Sequence, residues 1–206
     1  MTNTKQREQL AVNSPFNGDV INTIQMQNLG DANAMLASAN ALFRNKTAWL
    51  AHHERAAILK KLASLVEDEG EQFALLIAQE GGKPIMDARV EVARAIGGIL
   101  LAVKELSHVM RGEEVPMGHT AASIGRTAHT SYEPIGVVVA ISAFNHPLNL
   151  IVHQVVPAIA VGCPVIVKPS HITPLNCKRF IELVHAAGLP EAWCQICVCD
   201  NEVAEV

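Results

Sequence analysis

Two polar residues stand where an α/β protein would carry out chemistry. Asn145 follows the apolar run Val137-Val138-Val139-Ala140-Ile141, and Lys168 follows a second run, Pro164-Val165-Ile166-Val167. A side-chain amide can donate to an oxygen that gains charge, and a lysine ammonium offers three donors to a hydroxyl or an anion. The two residues are 23 positions apart, the length of one strand–helix–strand crossover, so adjacent strand ends would bring both to one rim. Each has a plainer reading as well. An Asn just before a helix commonly caps it, and a Lys before Pro at a strand end is commonly a solvated charge. The G-x-G-x-x-G fingerprint of dinucleotide sites is absent after the first run.

The cysteines invite a different chemistry and do not sustain it. Cys194, Cys197 and Cys199 form a C-x2-C-x-C cluster. In a strand, side chains alternate faces, so Cys194 and Cys197 point opposite ways and only Cys197 and Cys199 share a face. Two ligands do not make a tetrahedral zinc site. Five cysteines in 206 residues are also too few for a disulfide scaffold. The pair His52-His53 reads as the solvated start of a helix.

The elements that must position Asn145 and Lys168 fall into two grammars. The first half predicts long helices. One is capped by Asp31 and carries Ala32, Met35, Leu36, Ala39 and Phe43 at helical spacing. A second spans residues 55–79 and stops at Gly81-Gly82. A third has Pro84 in its first turn and runs to Arg111-Gly112. Residues 113–133 lose the helical period and predict a polar hairpin, with 123–132 as an exposed strand that needs a cover, for which oligomerisation is the natural source. The last third predicts strand 137–141, buried on both faces, then helix 147–161. That helix has Pro147 in its first turn, a kink at Pro157 and Gly162 at its end. Strand 164–167, a helix with Thr173 as cap and Pro174 at its first position, closed at Gly188 and Pro190, and strand 194–199 complete the set. The order β-α-β-α-β is one mononucleotide-binding half of a doubly wound sheet. The predicted class is therefore α/β: N-terminal long helices (1–112), a polar hairpin (113–133) and a partial Rossmann-like parallel sheet (134–206).

Composition narrows the function classes. Half of the chain is apolar, 17% is charged and the formal net charge is −4. That is a chain able to bury a core, with no reason to bind nucleic acid or an anionic membrane surface. The most apolar stretch, 135–167, is interrupted by Asn145, His146, Pro147, His153, Gln154 and Pro157, which predicts no transmembrane span. Residues 1–9 are polar and lack the apolar core of a signal peptide, so the expected location is the cytoplasm.

Taken in order, several motifs resemble the aldehyde dehydrogenase superfamily. They are Glu80-Gly81-Gly82-Lys83-Pro84 with Glu91-Val92, Glu133-Pro134-Ile135-Gly136-Val137-Val138, Ser142-Ala143-Phe144-Asn145-His146-Pro147, Val165-Ile166-Val167-Lys168-Pro169-Ser170, and Thr173-Pro174-Leu175 with Leu189-Pro190. The resemblance covers nearly the whole chain and implies an NAD(P)-dependent oxidation of an aldehyde to a carboxylate. It implies that Asn145 donates to the substrate oxygen as it becomes an oxyanion. It further implies that Lys168 hydrogen-bonds the adenosine ribose, that Ile141, Ser142, Ala143 and Phe144 line the ribose and nicotinamide side, and that Ser170 and His171 continue the cofactor rim.

The departures are informative. Ala143-Phe144 stands where the family commonly has Pro-Trp, and His171 stands where NAD-preferring members often have Glu. Losing that carboxylate removes repulsion against a 2′-phosphate, which tilts the expected cofactor from NAD toward NADP or dual use. The resemblance also implies that the nucleophilic Cys, the general-base Glu and the pyrophosphate turn lie beyond residue 206. The 206 residues are then expected to be inactive alone. The alternative is a non-catalytic cofactor-binding or interaction module that associates with itself or a full-length homologue. The stretch 144–149 is similar to branches acting on small polar aldehydes, such as semialdehydes or phosphonoacetaldehyde.

Overall fold

Alternating apolar residues on either side of an Asn-Gly turn make the first element a β-hairpin. The structure, a computed structural model, describes residues 8–205; residues 1–7, and with them most of the segment judged for a signal peptide, lie outside the described residues. Strands β1 (Gln9–Asn13) and β2 (Val20–Gln25) pair antiparallel, with Leu10 opposite Ile24 and Val12 opposite Asn22. The connecting turn places Gly18 at φ 79°, and Asn17 bonds to Asp19 through both its amide and its carbonyl. Val12, Ile24 and Met26 pack against Leu175 and Val198. The expectation of helices alone for residues 1–112 therefore missed a hairpin, whose signal was the apolar alternation flanking Asn17-Gly18.

Helix α1 (Leu29–Arg44) starts earlier than expected. Asn28 is its cap and Asp31 its third residue, each accepting from the other's backbone N–H, at 3.0 Å from Asp31 N and 3.2 Å from Asn28 N. The single helix expected over 55–79 is two, α2 (His52–Asp68) and α3 (Gly70–Gly81), separated at Glu69. Gly70 is a poor helix residue at the break, while the apolar stripe runs on through it and conceals the interruption. Gly82 ends α3 in the left-handed conformation, φ 66°, and Pro84 caps α4 (Ile85–Val109) instead of entering its first turn.

A small antiparallel ladder follows. Strand β3 (Glu114–Pro116) pairs with β4 (Thr127–His129), every residue of both exposed. The long strand expected over 123–132 is thus three residues, and its partner comes from the same segment. The parallel sheet has the order β5 (Val138–Ile141), β6 (Val165–Lys168), β7 (Cys194–Ile196). Its crossovers are α5 (Pro147–Val161) and α6 (Pro174–Ala186). Pro147 and Pro174 open their helices, and Gly162 closes α5 at φ 95°. A short α7 (Asn201–Ala204) follows.

One strand departs from the expected burial. β6 is buried throughout, but Val139 and Ile141 of β5 are each 58% exposed while Ala140 is buried. The reason lies in the reach of α1. Its Ala39, with Ala32 and Met35 beside it, covers Ile166, Cys197 and Cys199 on the outer face of the sheet and stops short of β5. The opposite face is covered by α5 and α6, packed in turn on α2, α3 and α4 as one core. Cys194 belongs to that inner core and Cys197 and Cys199 to the outer one, so the three thiols do not converge.

Candidate cofactor site

The sheet register brings the two sequence-predicted residues to one rim. Ile141 pairs with Lys168, and the amide of Ser142 donates to the Lys168 carbonyl at 3.0 Å, so β5 and β6 end together. The chain then turns through 142–146 into α5. Asn145 is not the helix cap; His146 is, and it caps through no side-chain bond. Asn145 is exposed, its side chain makes no hydrogen bond among the described residues, and it lines a hollow of about 240 Å³ with Ile77, Gly81, Lys83, Pro84 and Phe144.

Lys168 is only 9% exposed, so the solvated-charge reading fails. Its Nζ donates to Asn201 Oδ1 at 3.2 Å. A buried ammonium bonded to one neutral amide keeps further donors for a ligand hydroxyl or phosphate. Around it, Ser142 is buried with its hydroxyl on the Ala143 carbonyl at 3.3 Å, while Ile141, Ala143 and Phe144 are exposed and make the rim apolar. Ser170 Oγ accepts from the Ile172 amide at 3.2 Å. His171 Nε2 lies 2.8 Å from the Cys199 carbonyl; a carbonyl only accepts, so Nε2 is the protonated nitrogen. These residues suit a nucleotide: an apolar ledge beside a buried cation, with no carboxylate among the described residues bonded to it.

What holds the rim in place was not legible as such. The first amides of α5 are capped by Glu91, whose Oε1 accepts from Leu148 N at 2.9 Å and Asn149 N at 3.1 Å. Those of α6 are capped by Glu80, which accepts from Leu175 N at 2.9 Å and Asn176 N at 2.8 Å; the expected cap, Thr173, makes no side-chain bond. Both carboxylates are buried. Carboxylates suit helix N-termini because they accept orphan N–H groups and meet the positive end of the dipole. Burial nonetheless pushes Glu80 up to about 7, against the pull of its two amide donors. The available signal was an acid inside an apolar stripe: Glu91 shares a helical face with Ala88, Val92 and Ala95, and Glu80 with Phe73 and Ile77. Glu91 also pairs with Lys83, which in turn contacts His146 Nδ1 at 2.9 Å.

The five cysteines are buried, and burial drives the thiols of Cys177, Cys194 and Cys197 away from ionisation. Cys194 and Cys197 are each pushed up to about 12, and burial also raises Cys177 well above the ordinary thiol range. A nucleophilic thiolate requires the opposite environment.

The model of the aldehyde dehydrogenase family matches residues 1–206. A 3-sulfolactaldehyde dehydrogenase of Priestia megaterium is 37% identical over 176 residues, which are 85% of this chain and 36% of that protein. The crystal structure of aldehyde dehydrogenase 21 from Physcomitrella patens, in complex with the reaction product succinate, superposes with a TM-score of 0.91. It is 33% identical, over 98% of this chain and 42% of that one. Glyceraldehyde-3-phosphate dehydrogenase GapN from Methanocaldococcus jannaschii, complexed with NADP, gives a TM-score of 0.87. It is 30% identical, over 98% of this chain and 43% of that one. The chain thus spans less than half the length of these relatives, and it belongs to the aldehyde dehydrogenase family.

Proposed function

We propose that these 206 residues form the cofactor-binding portion of an NAD(P)-dependent aldehyde dehydrogenase. The observation that carries the reading is Lys168, a buried ammonium at the sheet rim with spare donors, ending its strand beside the turn that presents Asn145. In this reading Lys168 holds the adenosine ribose. Ile141, Ser142, Ala143 and Phe144 flank the ribose and nicotinamide, and Ser170 and His171 border the 2′ position. With no carboxylate at residue 171, NADP is preferred over NAD. The nicotinamide, when bound, accepts hydride. Asn145, whose amide is free to donate, stabilises the oxygen of the reacting aldehyde. The substrate is a small polar aldehyde, in keeping with the sulfolactaldehyde and succinate named for the relatives.

The chain alone is catalytically silent in this reading, because each of its five thiols is buried and the shifts at Cys177, Cys194 and Cys197 oppose ionisation. No helix among the described residues is long and apolar enough to cross a membrane, and we place the protein in the cytoplasm. Exposed Val139 and Ile141 on the β5 edge favour the second reading, a module that associates with itself or with a full-length homologue. The segment 113–133 serves as its oligomerisation hairpin.

Calorimetric titration with NADP and NAD tests the first reading. Saturable binding is expected, tighter for NADP and weakened roughly 10- to 150-fold by Lys168→Ala, the worth of one charged hydrogen bond. No binding of either nucleotide to the folded chain overturns it. Light scattering tests the second: a compact monomer at all concentrations, with no homologue retained, overturns self-association.

A further inference from the structure

Lys83 and His146 meet beside Asn145 without belonging to the cofactor rim. Lys83 follows the Gly81-Gly82 turn between α3 and α4; its Nζ donates to Glu91 Oε2 and lies 2.9 Å from His146 Nδ1. An ammonium has donors only, so Nδ1 at that separation must accept. The imidazole is then neutral, with its proton on Nε2. The competing arrangement, Nδ1–H donating to Glu91 Oε2, is longer at 3.4 Å and would turn that hydrogen toward a cation. Asp87 and Arg94 line a second hollow, also of about 240 Å³, together with Lys83, Glu91 and His146. Glu91 is itself anchored by the amides of Leu148 and Asn149. Residue 146 is therefore fixed twice, by its ring on Lys83 and by its backbone at the head of α5. Asn145, one peptide away, has no side-chain bond among the described residues to fix it.

We propose that Lys83 and His146 are positioning residues for Asn145. Lys83, braced by Glu91, locks the His146 ring as the Nε2–H tautomer and so holds rigid the turn that presents the Asn145 amide. The proposal rests on the reading of Asn145 as the donor to the substrate oxygen, but its test needs neither nucleotide nor aldehyde. It can therefore fail while nucleotide binding succeeds, and the reverse.

The test is nuclear magnetic resonance on the full ¹⁵N-labelled chain. Long-range ¹H–¹⁵N correlations of the His146 ring, assigned by their loss in His146→Phe, should show a bare Nδ1 and a protonated Nε2 at pH 7.5. The backbone order parameter of Asn145 should be about 0.85 in the native chain and fall below about 0.6 in Lys83→Met. Lys83→Arg, which keeps a cationic donor, should restore it. Where Lys83→Met fails to fold, His146→Phe at its half-exposed position gives the same reading of Asn145. A proton on Nδ1 in the native chain overturns the proposal. So does an Asn145 order parameter unchanged in whichever of these variants fold.

Discussion

Glu80 sets two physical effects against each other, and replacing it by Gln measures which one wins. Its carboxylate is fully buried yet accepts two amides at the N-terminus of α6. Burial favours the neutral acid, whereas the amides and the helix dipole favour the anion. The balance lies with burial, which raises the group from 4.5 to about 7. Between those values the folded chain holds a proton that the unfolded chain has lost, so stability falls as pH rises. Glu80's favourable contribution is fully present below about pH 4.5, is lost progressively up to about pH 7, and is constant above that. A rise from 4.5 to about 7 is worth about 3 kcal/mol. Gln cannot titrate. Its amide nitrogen also cannot accept, so one of the two N–H groups of α6 loses its partner at every pH, at a cost of about 1–3 kcal/mol. Urea unfolding followed by circular dichroism at pH 5 and pH 8 separates the terms, because every other group cancels in the comparison. The stability lead of the native chain over Glu80→Gln should shrink by about 2.5 kcal/mol between pH 5 and pH 8, since part of the full difference is already lost by pH 5. A lead that stays constant refutes the raised value. A lead that grows shows that the helix N-terminus outweighs burial.

Three further outcomes follow from the packing. Gly82→Ala forces a side chain into φ 66° with its Cβ 3.0 Å from Pro15 Cγ, so the melting temperature should fall by roughly 2–8 °C; an unchanged melting curve would contradict the left-handed cap. Gly112→Ala puts a Cβ 1.7 Å from the Thr130 carbonyl oxygen. The base of the β3–β4 ladder must then open, and amide exchange at Thr130, which donates to Glu113 at 2.9 Å, should accelerate while the α5 amides stay protected. Ellman's reagent at pH 8 should label none of the five thiols before unfolding, and one rapidly reacting thiol in the native chain would refute their burial.

The parts of the fold written in local sequence were readable. Strands β5 and β6, helices α5 and α6 and their Pro and Gly boundaries announce themselves in β-branched runs, Pro at first positions and Gly at ends. So did the common end of β5 and β6, the strands that precede Asn145 and carry Lys168, because crossover length sets it. The misses share a different cause. The β1–β2 hairpin is stabilised by Leu175 and Val198, far along the chain, and its own alternation is short. The exposure of Val139 and Ile141 depends on where α1 ends over the sheet, which no pattern within β5 reveals. The caps of α5 and α6 come from Glu91 and Glu80, 57 and 95 residues from the first amides they accept. Local reading offered Asn145 and Thr173 for those duties, since a cap is by habit the neighbouring residue.

The missing glycine fingerprint and the carboxylate caps have one explanation. In a G-x-G-x-x-G site the glycines let a pyrophosphate approach the N–H groups that open the first crossover helix. Here the amides of Leu148 and Asn149 are already bonded to Glu91, and those of Leu175 and Asn176 to Glu80. A phosphate at either helix N-terminus would meet a buried acid and find these donors taken. The sequence therefore has no need of small residues there, and the turn before α5 can carry Phe144, Asn145 and His146 instead. Bringing those acids to the helix N-termini is the work of α3 and α4. The helical lead-in thus shapes the candidate site as well as walling its core: it turns two helix ends suited to anions into rigid supports whose first donors are already bonded, and Lys168 is left as the buried cation of the rim.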